Sequence, residues 1–253
     1  MSRRTWITVT LAAVLAAVLG ASLSFTGFSL AGTGPRTSAL AWFASFESSL
    51  VTGALRAPDP HAAPPLPVFE AAELTPVWRS ATELRGQSGS SFPDFSLTDQ
   101  NGRLLARGDL QGRVVVAHFF FTHCSNICPT LISAMGRVRD AYAGHAGVML
   151  LSHSVTPDYD TPVMLKAYAQ ANKIDGQQWR LLTGSNEEIS RVAHGGYFVP
   201  RSAVSAQGVI HTELFVLLDE QQRVRGVYNG TLRPEMEQLI GDVKTLLAAH
   251  SAR

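Results

Sequence analysis

The stretch Arg113-Val-Val-Val-Ala-His-Phe-Phe-Phe121-Thr-His-Cys-Ser-Asn-Ile-Cys-Pro129 decides how this chain is read. Its first nine residues form a continuous apolar run rich in β-branched and aromatic side chains, the pattern of a strand buried on both faces at the centre of a sheet. Pro129 suits the first turn of a helix, where a missing N–H costs nothing. Leu131, Ile132, Met135, Val138 and Tyr142 follow at helical spacing, and Gly144 is a stop. Cys124 and Cys128 therefore fall in a loop between a buried strand and a helix, with Cys128 at or just before the helix N-cap.

Outward from this unit, strand and helix signals alternate from Phe92 onward. Phe95–Leu97 and Arg103–Leu105 flank Asp99-Gln-Asn-Gly102, a hairpin signal. Val148 to Val155 reads as a second buried strand. Thr161-Pro162 opens a helix through about residue 170, and Asn186-Glu-Glu-Ile opens a shorter one. Leu214–Leu218 and Arg223–Tyr228 form a late hairpin across Asp219–Gln222, and Pro234 to about Ala249 is a final helix with Met236, Leu239, Ile240, Val243 and Leu247 on one face. This order predicts one α/β sandwich with a central mixed sheet flanked by helices. A central strand that runs into a cysteine loop and then a helix points to a thioredoxin-like arrangement.

The chemistry follows from that placement. A helix N-terminus offers unpaired amide donors and positive partial charge, and both favour thiolate over thiol. Thiolate is the nucleophile of disulfide exchange and also the soft ligand that selects copper(I). Two cysteines are too few for a disulfide scaffold, so their role is chemical. Three intervening residues let the sulfurs meet in a disulfide or splay around a metal, and at this point both readings stand.

A third ligand would come from eight histidines. His61 lies in a Pro-rich stretch and His250 near the end of the chain, which makes them poor candidates. His145 and His194 sit beside glycine turns. His118 is within the central strand, in the core or beneath the site. His123 is next to Cys124, His153 ends a strand, and His211 opens a late strand. Spacing does not choose among them.

Residues 1–35 read as a membrane anchor or signal segment. Arg3 and Arg4 are followed by no charged residue until Arg36, and the 25 residues from Trp6 to Leu30 are mostly apolar. That length exceeds the roughly 20 residues that span a bilayer and the roughly 7–15 of a signal-peptide core, which favours an uncleaved single-pass transmembrane helix. Ser, Thr and Gly after Leu19 leave cleavage open. The arginines stay inside, so the rest of the chain is exported to the periplasm or cell exterior from a bacterial cytoplasmic membrane. Residues 36–91 read as a tether, with a short amphipathic helix at Leu40–Leu55, the Pro-rich run 57–67 and the flexible stretch Gly86–Ser91. Residues 92–253 are then the compact domain. Hydrophobic residues are 45% and charged residues 16%, as suits a globular domain with an added apolar segment. A net charge of +1 supplies no basic field, which excludes nucleic-acid binding as a function class.

Phe92–Leu247 resembles the Sco/SenC family of membrane-anchored, thioredoxin-like copper proteins. The resemblance rests on Phe92-Pro-Asp-Phe-Ser-Leu-Thr-Asp-Gln-Asn-Gly102, Phe120-Phe-Thr-His-Cys-Ser-Asn-Ile-Cys-Pro129, Asp160-Thr-Pro-Val-Met-Leu-Lys-Ala-Tyr168, Trp179-Arg-Leu-Leu-Thr-Gly184 and Val209-Ile-His-Thr212. It implies that Cys124, Cys128 and His211 bind copper, as Cu(I) or Cu(II). It further implies delivery of that copper to the CuA centre of cytochrome c oxidase subunit II, or reduction of that subunit's cysteines with a thiol-disulfide reductant as a further partner. Two departures remove negative charge that would tune the metal or a partner contact. Val155-Thr-Pro157 stands where Val-Asp-Pro is common, and Ser125-Asn126 where Pro-Asp is more usual. The alternative function is an exported thiol–disulfide oxidoreductase or redox sensor that needs only the cysteine pair, although exchangers of this fold typically carry Cys-x-x-Cys. A peroxiredoxin ranks lowest, because the Pro-x-x-x-Thr-x-x-Cys pattern is not met around Cys124. The expected role is an assembly factor rather than a turnover enzyme.

Overall fold

The structure is a computed structural model that describes residues 65–70, 73–86, 92–203, 210 and 212–251. The expected membrane segment and the Leu40–Leu55 helix lie outside the described residues. Among the described residues, no helix is long and apolar enough to cross a membrane.

Among the described residues nine strands form one sheet: β1 (Val68–Phe69), β2 (Pro76–Val77), β3 (Ser96–Asp99), β4 (Leu104–Ala106), β5 (Val114–Phe120), β6 (Val148–Ser154), β7 (Trp179–Thr183), β8 (Leu214–Leu218) and β9 (Val224–Asn229). Their order is β2-β1-β9-β8-β5-β6-β7-β3-β4. The pairs β5/β6 and β6/β7 are parallel, and β5 pairs with β8 antiparallel, so the sheet is mixed. The described α-helices are α1 (Ala81–Gly86), α2 (Cys128–Ala141), α3 (Pro162–Ala171), α4 (Asn186–Arg191) and α5 (Arg233–Ser251).

Alternation along β5 divides the interior into two cores. Val114, Val116 and Phe120 pack with Leu131 and Met135 of α2, Leu165 of α3 and Leu239 and Val243 of α5. Val115, Ala117 and Phe119 face the other way, against Phe92, Leu97, Ile189 and Val192. Every β5 residue is buried, as a strand covered by helices on one face and by the β3–β4 hairpin and α4 on the other must be. The expected sandwich is what forms, with the strand that leads to the cysteines in mid-sheet.

The sheet also reaches into the stretch read as a tether. Phe69 of β1 pairs with Val224 of β9, and β2 pairs with β1. Arg225 holds this segment through bonds to the carbonyls of Pro67 (2.8 Å) and Leu66 (2.6 Å), while its third contact is Asp219 at 3.0 Å. Arg223 adds a bond to the Leu84 carbonyl at 2.8 Å. Two-residue strands among prolines are too short to show alternation, and proline is tolerated at a sheet edge.

Candidate functional site

The site is built at the carboxyl end of β5. After Phe120 the chain turns through Thr122 and His123, and the Cys124 amide donates to the Phe121 carbonyl at 3.3 Å. Ile127 is the N-cap of α2 without a side-chain cap, and Cys128 is the first helical residue rather than a residue ahead of the helix. Having no hydroxyl or carboxylate at the N-cap, and proline at residue 129, leaves the Cys128 amide for another acceptor. That acceptor is sulfur: the Cys128 N–H donates to Cys124 Sγ at 3.4 Å.

The two thiols are free and differ in surroundings, Cys124 being half-buried and Cys128 only 3% exposed. Burial pushes the Cys124 thiol up, but hydrogen bonds from the Cys128 thiol and the amides of Cys128, Asn126 and Ile127 outweigh it and hold it below the ordinary thiol range. Cys128 is pushed up to about 12, by burial first, then by its bond to Cys124 and the charges of Cys124 and Asp160. Tyr168 on α3 stands near the same groups. Burial and the charges of Cys128, Cys124 and Asp160 push its hydroxyl up to about 12, so it stays a neutral donor.

A cavity of about 240 Å³ opens beside Cys128, lined among others by Asn126, Val155, Ile210, Thr212 and Glu213. Its far wall thus comes from the residues immediately before and after His211, which itself lies outside the described residues. A larger cavity of about 300 Å³ is at the opposite end of β5, beside Val114, Leu66 and Arg225, and it contains no cysteine or histidine. Two sulfurs, one already inclined to thiolate, against aromatic walls are donors suited to a soft ion. Among the described residues no group of three or more His, Cys, Asp or Glu side chains forms a metal cluster.

The other histidines separate clearly. His118 is buried in the core, stacked on Phe215 at 4.8 Å and bonded to Ser152 Oγ at 2.6 Å. His153 is buried on the opposite face and bonded to the Tyr197 hydroxyl at 2.9 Å. Burial, aided for His153 by the neighbouring His118, lowers both to about 3 and keeps them neutral. His123 is exposed, its ring near Phe121 (4.9 Å) and Tyr159 (4.6 Å). His194 bonds the Val199 carbonyl at 2.6 Å, and His145 accepts from the Gly147 amide at 3.2 Å in a turn. His61 lies outside the described residues.

Asp160 is the residue that sequence reasoning undervalued. The sequence allows either Asp160 or Thr161 to cap α3, and the structure gives the cap to Thr161, whose hydroxyl accepts from Met164 N at 3.4 Å. Asp160 instead turns inward, fully buried, and accepts from the Thr122 hydroxyl, Thr122 N (3.2 Å), Ser154 Oγ (2.6 Å) and Thr156 Oγ1 (3.1 Å). No local signal marked it, because Thr122 lies 38 positions away and comes near only when β5 pairs with β6.

Comparison with known proteins gives a consistent result. The SCO1 protein homolog of Bacillus subtilis is 30% identical over 154 residues, covering 60% of this chain and 80% of that protein. A Stutzerimonas stutzeri protein named as a candidate copper-binding protein is 30% identical over 148 residues, covering 56% of this chain and 71% of its own length. The match spans less than half of the bovine mitochondrial SCO2 homolog and of the SCO2-like protein of Rickettsia felis. Among solved structures, a SCO1/SenC family lipoprotein from Bacillus anthracis is 34% identical with TM-score 0.55, covering 62% of this chain and 94% of that one. BsSco, described as a member of the Sco family of cytochrome c oxidase assembly proteins with a disulfide switch, is 30% identical with TM-score 0.54, covering 62% and 94%. The SCO1/SenC family model matches residues 85–248, which include the cysteine loop, both cores and the wall around residue 211, and the chain belongs to the SCO1/SenC family.

Proposed function

We propose that this chain is a membrane-anchored copper-binding assembly factor in which Cys124, Cys128 and His211 hold the metal. The observation that supports it is the cavity that has Cys128 on one side and both neighbours of His211, Ile210 and Thr212, on the other. Two thiolates and an imidazole form a soft, three-donor set that suits copper(I). The apolar run 6–30 anchors the chain, and the domain works on the outer side of a bacterial cytoplasmic membrane. The acceptor is the CuA centre of cytochrome c oxidase subunit II or a comparable thiol-containing copper site. A relative's description as copper-binding and BsSco's as an oxidase assembly protein agree with this reading.

The test is copper(I) titration of the reduced, full-length protein in detergent, with Cys124→Ala, Cys128→Ala and His211→Ala. One copper per chain and loss of tight binding in each variant are expected. Full affinity in the His211 variant would reject the ligand set.

A second reading is thiol–disulfide exchange with the client, favoured by the inequality of the two thiols. The Cys124 thiolate attacks a client disulfide and forms a mixed disulfide. The Cys128 thiol then gives up its proton and attacks Cys124, releasing the client dithiol. Two electrons pass to the client, the chain keeps a Cys124–Cys128 disulfide, and a separate thiol reductant must reset it. Exchange activity that survives His211→Ala would favour this reading over metal delivery.

A further inference from the structure

We propose that Asp160 is a positioning residue for the cysteine site, a buried clamp that fixes Thr122 and, through it, the turn carrying Cys124. The proposal rests on the copper reading above for its meaning, though not for its geometry. Both donors of Thr122, amide and hydroxyl, reach the one carboxylate. That two-point grip fixes the orientation of the Thr122 peptide and not merely its distance. Thr122 is the first turn residue after Phe121, and the Cys124 amide closes the same turn on the Phe121 carbonyl. Where Thr122 is held, Cys124 is held two residues later.

The opposite side of the clamp is equally rigid. Ser154 is the last residue of β6, and Thr156 follows it in the connection to α3. Both hydroxyls end on the same carboxylate oxygen, Oδ2. The Thr156 amide also donates to Ser154 Oγ at 3.1 Å, and the Asp160 amide to the Thr156 carbonyl at 2.9 Å. Asp160 therefore ties the cysteine turn to the ends of two adjacent parallel strands, β5 and β6.

Its burial argues against incidental packing. A carboxylate with no exposed surface is costly to bury, and the described partners here are hydroxyls and amides, with no cation among them. A carboxylate accepts on every side at once, which is what a hub for donors from separate segments requires. The carboxylate is also near enough to Cys128 and Tyr168 for its charge to oppose theirs, which places the hub directly behind the site. Thr156 is part of this arrangement in its own right: as a hydroxyl donor it completes the hub, which an acidic side chain at that position would do only in its protonated form.

The experiment compares Thr122→Ala, Thr122→Ser, Asp160→Ala and Asp160→Asn in the full-length protein. Two readouts are taken well below the unfolding midpoint: copper(I) affinity against a chromogenic chelator, and the alkylation rate of Cys124 in reduced, metal-free protein at fixed pH. Removing either half of the clamp, in T122A or D160A, is expected to weaken copper binding at least about tenfold and to change the Cys124 rate severalfold. T122S restores the hydroxyl and should stay close to wild type, whereas D160N keeps one acceptor oxygen but loses the other and should fall between wild type and D160A. Wild-type values for T122A would overturn the proposal, and so would D160N damage equal to that of D160A, which would assign the effect to charge. If D160A fails to fold, the T122A and T122S pair decides. If the wild-type protein binds no copper(I), the copper reading falls while the alkylation rates still test the clamp.

Discussion

Cys128 gives its backbone N–H to the sulfur of Cys124 at 3.4 Å, so the first residue of α2 stabilises its neighbour's thiolate while its own thiol stays buried. The two cysteines of the loop are therefore not equivalent. The polarity of a helix start acts on the sulfur that lies over it, and desolvation acts on the sulfur that lies within it.

This inequality has a direct readout in the reduced, metal-free protein. At neutral pH, iodoacetamide should label Cys124 at least about tenfold faster than Cys128, since the thiolate is the reacting form. Peptide mass spectrometry at short reaction times distinguishes the two. Equal rates would contradict the assignment.

The buried histidines predict how stability depends on pH. His118 and His153 are neutral in the fold with values lowered to about 3, whereas in the unfolded chain each has the ordinary value near 6.5. Below that value the unfolded state binds protons the folded state refuses, so stability is full above about pH 6.5 and falls as pH drops towards 3. Between pH 7 and 5 the loss is about 2 kcal/mol for each ring, or about 4 in all. Urea unfolding of the metal-free protein at pH 7 and pH 5 measures it, and a His153→Phe variant should show about half the dependence. An unchanged midpoint across that range would rule the account out.

Arg225 is the residue on which the N-terminal segment depends. Arg225→Ala removes both carbonyl bonds to residues 66 and 67 and leaves the Asp219 carboxylate with Arg223 as its remaining described cation, beside the Gln221 and Arg223 amides. We expect a loss of about 2–3 kcal/mol, less than for a fully orphaned buried charge because Arg223 remains. Limited proteolysis should then cut within 65–86 before the rest of the domain unfolds. Cleavage no faster than in the parent would show the segment is held by other contacts.

Gly230, at the turn from β9 into α5, is closely packed. A Cβ there would strike the ring of Phe215 and lie 2.8 Å from Leu131 Cδ2. Gly230→Ala should cost about 1–3 kcal/mol through overpacking, seen as a lower thermal midpoint. Since Phe215 also stacks on His118, the change should propagate to the core beneath the cysteine strand, and the same variant at wild-type stability would argue that this core yields easily.

Much of the fold was legible because its long elements obey one period each. Residues 113–121 announced β5, and the helical repeat from Leu131 to Val138 announced α2. The two hairpins were marked by Asp99 and Asp219, whose carboxylates accept the amides two and four residues on. The short edge strands were not legible, nor was the π-turn Val192–Gly196, because neither is long enough to show a period. A capping box at Ser80 and Glu83 was present to be read and marks α1 inside the supposed tether. At the site, the cysteine pair was legible from local sequence. Asp160 was not, because its four donors come from residues up to 38 positions away, and that proximity is created only by pairing β5 with β6.

The anchoring of the N-terminal segment changes how far the domain can travel from a membrane. If residues 6–30 are held in the bilayer, as proposed above, the covalent link from the bilayer to the domain ends near Pro65 rather than near residue 92. Its greatest span is then about 120 Å for 34 residues instead of roughly 210 Å. Leu66 borders the cavity at the start of β5, whereas the thiols follow its last residue, about 20 Å further along the strand. The described chain thus enters the domain at the pole opposite its sulfur-bearing mouth.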